Sequence, residues 1–165
     1  MNSYFNFENT YTNLPKCFFT LQNIEEVPFP DLVIFNNKLA KSLDINIPSY
    51  DKKELAKIFS GNFNNKNMST FAQAYAGHQF GHFTNLGDGR ALMLGEHLSN
   101  CGKRFDVQMK GSGITPYSRQ GDGKAALGPM LREYIISEAI HYLNIPTTRS
   151  LSVIKTGEDV FREKK

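Results

Sequence analysis

Cysteine is scarce in this chain. Cys17 and Cys101 are its only two, too few for a disulfide framework or a four-ligand zinc site. They read as reduced thiols of a cytoplasmic protein. Long apolar runs are missing, so no segment of about 18 hydrophobic residues offers a membrane span. The opening stretch, Met1 to Glu8, has neither the basic nor the apolar region of a secretory signal. A formal charge of +3, with no clustered basic face and no base-stacking motif, argues against nucleic acid as a partner. No internal repeat shows at periods of about 20–50 residues. Neither a G-x-x-x-x-G-K-[ST] loop nor a G-x-S-x-G elbow occurs, which removes the P-loop and lipase-like readings.

What is present is ample core material: 165 residues, 40% hydrophobic, with thirteen Phe and seven Tyr. That composition suits one ordinary globular domain. Residues 1–29, broken by Pro15 and Pro28, read as an extended aromatic arm. Asp31 to Leu43 reads as a helix, because Leu32, Phe35, Leu39, Ala40 and Leu43 share a stripe. Asp51 to Phe59 reads as a second helix, residues 61–67 as a polar loop, and Thr70 to Tyr75 as a short helix or turn.

The texture changes at Gly77. Gln79 to Asn85 and Ala91 to Leu98 read as strands joined by a hairpin over Leu86-Gly87-Asp88-Gly89-Arg90, since Asp-Gly between apolar runs favours a tight turn. Arg104 to Lys110 alternates as a third strand. Gly111 to Gly123 is a glycine-rich loop, and a helix follows from about Ala125 to Leu143, stopping before Pro146. Ser150 to Lys155 and Asp159 to Arg162 read as a final strand pair. The fold class is α+β, with residues 1–76 as arm and helices and 77–165 as sheet and helix of one compact unit.

Three places can carry chemistry. Gly87-Asp88-Gly89-Arg90 offers free backbone N–H groups, close approach and a planar guanidinium fork, all suited to phosphate; an ordinary hairpin turn explains it too. Lys110 ends a strand and leads into Gly111-Ser112-Gly113, where a helix carboxylate partner would let it hold nucleotide phosphates; a solvated edge lysine is the plainer alternative. Asp122-Gly123-Lys124 precedes the long helix, as an anion site or simply as a cap. On the helical wheel Glu138 falls inside the stripe of Leu127, Met130, Leu131, Tyr134, Ile135 and Tyr142, while Glu133 falls beside it. A carboxylate on an apolar stripe must be paired or protonated, so the wheel favours Glu138 as the partner of Lys110. The four histidines have no metal-ligand spacing, and the β-like texture between His78 and His82 argues against a shared helix face.

In order along the chain, Tyr75-Ala76-Gly77-His78-Gln79-Phe80-Gly81, Leu86-Gly87-Asp88-Gly89-Arg90-Ala91, Gln108 through Arg119, Gly121-Asp122-Gly123-Lys124-Ala125, Arg132-Glu133-Tyr134 and Ile145 through Leu151 closely resemble the selenoprotein O (YdiU) family. The resemblance covers the whole chain. It implies a protein-kinase-like small lobe and a protein adenylyltransferase, moving AMP from ATP to Ser, Thr or Tyr hydroxyls of proteins with Mg²⁺ or Mn²⁺. By the same resemblance Gly87, Gly89, Arg90, Lys110, Asp122 and Gly123 match ATP-contacting positions. Glu133, rather than Glu138, matches the partner of Lys110. His82-Phe83 and Lys124 depart from the family pattern. The family's catalytic aspartate, metal ligands and two further ATP-binding arginines fall beyond the matched region, so the chain looks like a truncated or split member, inactive alone, with no catalytic or metal-ligating residue of its own. The expected partners are ATP and protein substrates, not nucleic acid or membrane. A non-catalytic nucleotide-binding or interaction fragment is the alternative.

Overall fold

The computed structural model describes residues 4–45, 47, 51–62, 69–79 and 81–162, with backbone alone at 78, 79 and 85. In chain order its elements are β1 (Phe7–Glu8), β2 (Phe19–Leu21), β3 (Asp31–Phe35), α1 (Asn37–Ser42), α2 (Lys52–Phe59), β4 (Phe71–Gln73), β5 (Ala76–Gln79), β6 (His82–Asn85), β7 (Ala91–Leu98), β8 (Arg104–Lys110), α3 (Leu127–Tyr142) and β9 (Ser152–Lys155). The class is mixed α and β with antiparallel sheets. The chain forms two compact units, each assembled from two segments: Met1–Glu25 with Asn65–Lys124, and Glu26–Asn64 with Ala125–Lys165. The first unit runs across residue 76, where composition suggested a division.

In the first unit β7 is the spine. Leu92 through His97 are all buried along it. β8 pairs with β7 from Ala91↔Lys110 to Leu98↔Arg104, and its alternation is as expected, with Phe105, Val107 and Met109 more buried than their neighbours. β4 pairs with β7 at Phe71↔Met93, β1 pairs with it at Phe7↔His97, and β2 lies outside β4. Phe19, Phe71 and Met93 form the core cluster, with Tyr11 packed on it. Tyr11 stacks on Phe71 at 5.3 Å, and Phe19 meets Phe71 edge-on; each buried aromatic of this size stabilises by about 1.5–3 kcal/mol.

These pairings correct three expectations. Residues 1–29 are not an arm lying on the domain, because β1 and β2 are strands of its sheet. Residues 71–73 are a strand rather than a helical turn, since they sit between β2 and β7 and their ladder bonds are non-local. The segment 86–90 is not a hairpin turn between paired strands. β6 pairs back onto β5 through a turn containing Gly81 at φ 78°, while β7 takes β8, β4 and β1.

In the second unit β3 pairs with β9, Asp31↔Lys155 to Phe35↔Ser152, with an irregularity between Leu32 and Ile34. The expected helix over 31–43 therefore splits. The Asp-Leu-Val-Ile-Phe run is a strand, Asn36 caps α1 by accepting from the Leu39 N–H at 3.0 Å, and only the second half is helical. The shared apolar stripe fitted both periods, and pairing with β9, more than 100 residues away, decided it. The helix expected at 51–59 forms, capped by Asp51 with Leu55, Ala56 and Ile58 buried. The expected loop at 61–67 falls mostly outside the described residues; Asn62 is described and bonds Val27 through both its amide atoms. α3 forms nearly as expected. Two members of its supposed inner stripe, Ile135 and Tyr142, are instead exposed, and Ser137 is buried. The second strand of the expected final pair, 159–162, is absent, because β9 pairs with β3. Among the described residues, no helix is long and apolar enough to cross a membrane.

Candidate functional site

The register of the first unit brings distant parts of the sequence to one end of the β7–β8 ladder. Ala91 faces Lys110 there, and the Gly111 N–H donates to the Arg90 carbonyl at 2.7 Å. The next residues close the loop back: Ser112 bridges Lys124, and the Gly113 N–H donates to the Gly123 carbonyl at 3.4 Å. Gly87, Gly89, Arg90, Lys110, Asp122 and Gly123 thus share one end of one unit. Arg90 and Lys110 are exposed and Asp122 is half-buried. The Asp122 carboxylate accepts from the Lys124 N–H at 2.9 Å, the local cap expected of an Asp in such a loop.

The glycines have a steric reason that spacing alone did not show. A Cβ on Gly87, at φ 82°, would lie 2.6 Å from the Tyr117 ring and 2.7 Å from the Gln73 carbonyl; one on Gly89 would lie 2.8 Å from the Tyr117 carbonyl; one on Gly123 would run into the Gly113 carbonyl. Backbone packs directly on backbone at all three, so the glycines are required for the loop 111–124 to close over the segment 86–90.

Asp88 is the residue that sequence reasoning passed over. It is 5% exposed. Its N–H donates to the Gln73 carbonyl at 2.8 Å, and its carboxylate accepts from the Gln73 N–H at 2.9 Å. Burial pushes its carboxyl above the usual carboxylate range, against the pull of the Gln73 N–H and the Tyr75 hydroxyl. Tyr75 is raised in turn, first by burial and then by the Asp88 charge. Together with the Leu86 and Gly87 N–H bonds to the Tyr75 carbonyl, this fixes the segment before Arg90 against β4. The signal was an Asp bracketed by glycines, a residue with a short acceptor where the backbone turns.

The two helix carboxylates have different surroundings. Arg149 grips Glu138 with two bonds, Nε to Oε1 at 2.8 Å and Nη2 to Oε2 at 2.6 Å. The Arg149 fork, then burial opposing it, then the Asn36 side chain set the Glu138 carboxyl, which lies below its ordinary range. Glu138 is therefore paired, as its place on the helix demanded, and Arg149 is the partner that the wheel could not supply. Glu133 is exposed on α3 and belongs to the second unit, whereas Lys110 belongs to the first.

His78 and His82 lie on the two strands of a hairpin, with His82 facing Gln79, not on a helix. Cys17 and Cys101 are free and exposed. Among the described residues no group of three or more His, Cys, Asp or Glu is arranged to hold a metal ion.

Residues 2–165 match the family model described as protein adenylyltransferase SelO. The chain is 61% identical over 158 residues to a protein nucleotidyltransferase YdiU of Brevibacillus brevis, with 96% of this chain and 32% of that protein covered. It is 59% identical over 157 residues to one of Pelagibacter ubique, covering 95% and 32%, and 61% identical over 160 residues to one of Clostridium perfringens, covering 97% and 33%. The chain thus spans about a third of the length of the curated relatives it matches. Matched along nearly its whole length, the chain belongs to the family described as protein adenylyltransferase SelO.

Proposed function

We propose that this chain is the ATP-gripping part of a protein nucleotidyltransferase, with a protein-kinase-like small lobe, that transfers AMP from ATP to Ser, Thr or Tyr hydroxyls of proteins. The observation that carries the proposal is the convergence of Gly87, Gly89, Arg90, Lys110, Asp122 and Gly123 on one end of the β7–β8 ladder. The exposed Arg90 and Lys110 are cations that fit a polyphosphate; the Gly87, Asp88 and Gly89 N–H groups, expected to be free, are instead bonded to the Tyr75, Gln73 and Gly87 carbonyls, so the glycines contribute close packing rather than backbone donors. Arg90 would offer its planar fork and Lys110 a point charge. Nucleotidyl transfer depends on positioning and charge neutralisation, and these residues would supply both for the phosphates. No group of three or more His, Cys, Asp or Glu among the described residues is arranged to hold Mg²⁺ or Mn²⁺, and no metal-dependent step is assigned to this chain.

The test is titration of ATP against the purified chain and its Arg90→Ala variant. A charge-assisted, bidentate contact is worth about 1.5–3 kcal/mol, so affinity falls by roughly 10- to 100-fold. Arg90→Lys recovers part of it. Unchanged affinity in a folded Arg90→Ala protein overturns the reading. The chain's share of its relatives' length favours a second reading, nucleotide binding without catalysis by this segment alone.

A further inference from the structure

Resting on the ATP-binding reading above, the geometry points to Thr115 and Ser118 as positioning residues that clamp the Gly87–Arg90 segment in its phosphate-facing place. Two hydroxyls of the loop cross to two consecutive carbonyls of that segment. Thr115 Oγ1 donates to the Asp88 carbonyl at 2.5 Å, and Ser118 Oγ donates to the Gly89 carbonyl at 2.7 Å. Each hydroxyl also accepts within its own loop: Thr115 Oγ1 from the Tyr117 N–H at 3.2 Å, Ser118 Oγ from the Thr115 N–H at 2.8 Å. Each position therefore needs a group that donates once and accepts once. A hydroxyl does both, whereas a carboxylate only accepts and an alkyl group does neither.

The place of the clamp gives it a function. Asp88 and Gly89 immediately precede Arg90, and Thr115 is buried, 6% exposed. The Asp88 and Gly89 carbonyls are thereby turned into the loop and held, which fixes where the chain leaves for Arg90. Past Ser118, the Gly121 N–H bonds the Ser118 carbonyl at 2.9 Å, so the same hydroxyl residue anchors the approach to Asp122 and Gly123. One clamp ties both halves of the proposed ATP site, and a site held in register before ligand arrives loses less freedom on binding.

The experiment compares Thr115→Val, Ser118→Ala and their double variant with Thr115→Ser, which keeps the hydroxyl. Amide hydrogen exchange is read at residues 87–90, with ATP affinity and thermal midpoint measured on the same proteins. The expected result is roughly tenfold faster exchange at 87–90 in each hydroxyl-less variant and about tenfold weaker ATP binding in the double variant. Thr115→Ser stays near wild type in both, and the thermal midpoint of Ser118→Ala moves little. Unchanged exchange at 87–90 overturns the clamp outright. Unchanged ATP affinity in the double variant, alongside a loss in Arg90→Ala, overturns the positioning role and leaves the ATP reading standing. No ATP binding by wild type overturns the ATP reading, and the exchange measurement then decides the clamp by itself. Should Thr115→Val not fold, Ser118→Ala carries the same comparison.

Discussion

Replacing Glu96 with Gln removes a charge and leaves the shape. Glu96 is buried in β7, 7% exposed, and its carboxylate is crowded with donors. It accepts from the Thr10 N–H, from the Thr10 hydroxyl at 2.8 Å and from the Tyr11 N–H at 2.9 Å. The Arg104 guanidinium lies 3.9 Å away and also bonds Glu8 at 2.8 Å. Burial would raise the Glu96 carboxyl, but the Tyr11 and Thr10 donors and the Arg104 charge outweigh it, and its net position is below the ordinary range. A carboxylate offers two acceptor oxygens to this cluster, whereas the amide of Gln offers one and turns an N–H₂ toward backbone donors. A hydrogen bond to a charged group is worth about 1.5–3 kcal/mol, so Glu96→Gln, losing one such bond and weakening the others, costs about 3 kcal/mol. Read as local opening, that is roughly a hundredfold faster exchange of the Thr10 and Tyr11 amides relative to that of Ser99, a buried residue just past β7 whose N–H bonds the Lys103 carbonyl. The pH dependence follows from the sign of the shift. A carboxyl depressed in the folded state contributes stability that is complete above its unfolded pKa of about 4.3 and is lost as pH falls through the folded value. Wild type therefore keeps the Thr10 and Tyr11 protection at neutral pH and loses it in acid, while the Gln variant is flat across that window. Wild-type protection in Glu96→Gln at pH 7, with the residue still buried, would refute the argument that the charge holds this segment.

Glycine substitutions separate close packing from mere backbone freedom. Gly102→Ala meets nothing within 4 Å at φ 79° and lowers stability by about 1 kcal/mol, whereas Gly123→Ala runs into the Gly113 backbone and disorders the loop 111–124; urea midpoints that fail to separate the two count against the packing account. Glu138→Gln leaves Arg149 without its two-bond partner, both side chains being under a fifth exposed, and costs about 2 kcal/mol; since Glu138 is depressed, the wild-type advantage vanishes as pH drops below about 4.3, and an advantage that persists in acid contradicts the pairing.

The sequence by itself determined the elements whose signals are local. β8 is legible because its side chains alternate, α2 because Asp51 caps an apolar period, and α3 because a long pattern ends at a proline. The motifs around Gly87, Lys110 and Asp122 were legible as a set because order and spacing survive in one dimension. Tertiary structure decided what depends on partners far along the chain. Asp31–Phe35 suits a helix or a strand until β9 arrives to pair with it. Phe71–Gln73 becomes a strand only between β2 and β7. The glycine segment 86–90 looked open to ligand, yet Tyr117 and the Gln73 carbonyl fill the space over Gly87, and the Thr115 and Ser118 hydroxyls take its carbonyls. Glu138 needed a counter-charge by its place on the helix, but that the charge would be Arg149, 11 residues on, followed from the path of the chain after α3. Side-chain period is a property of neighbours in sequence, whereas ladder bonds, ion pairs and the room over a glycine are set by whichever distant segment folding brings there.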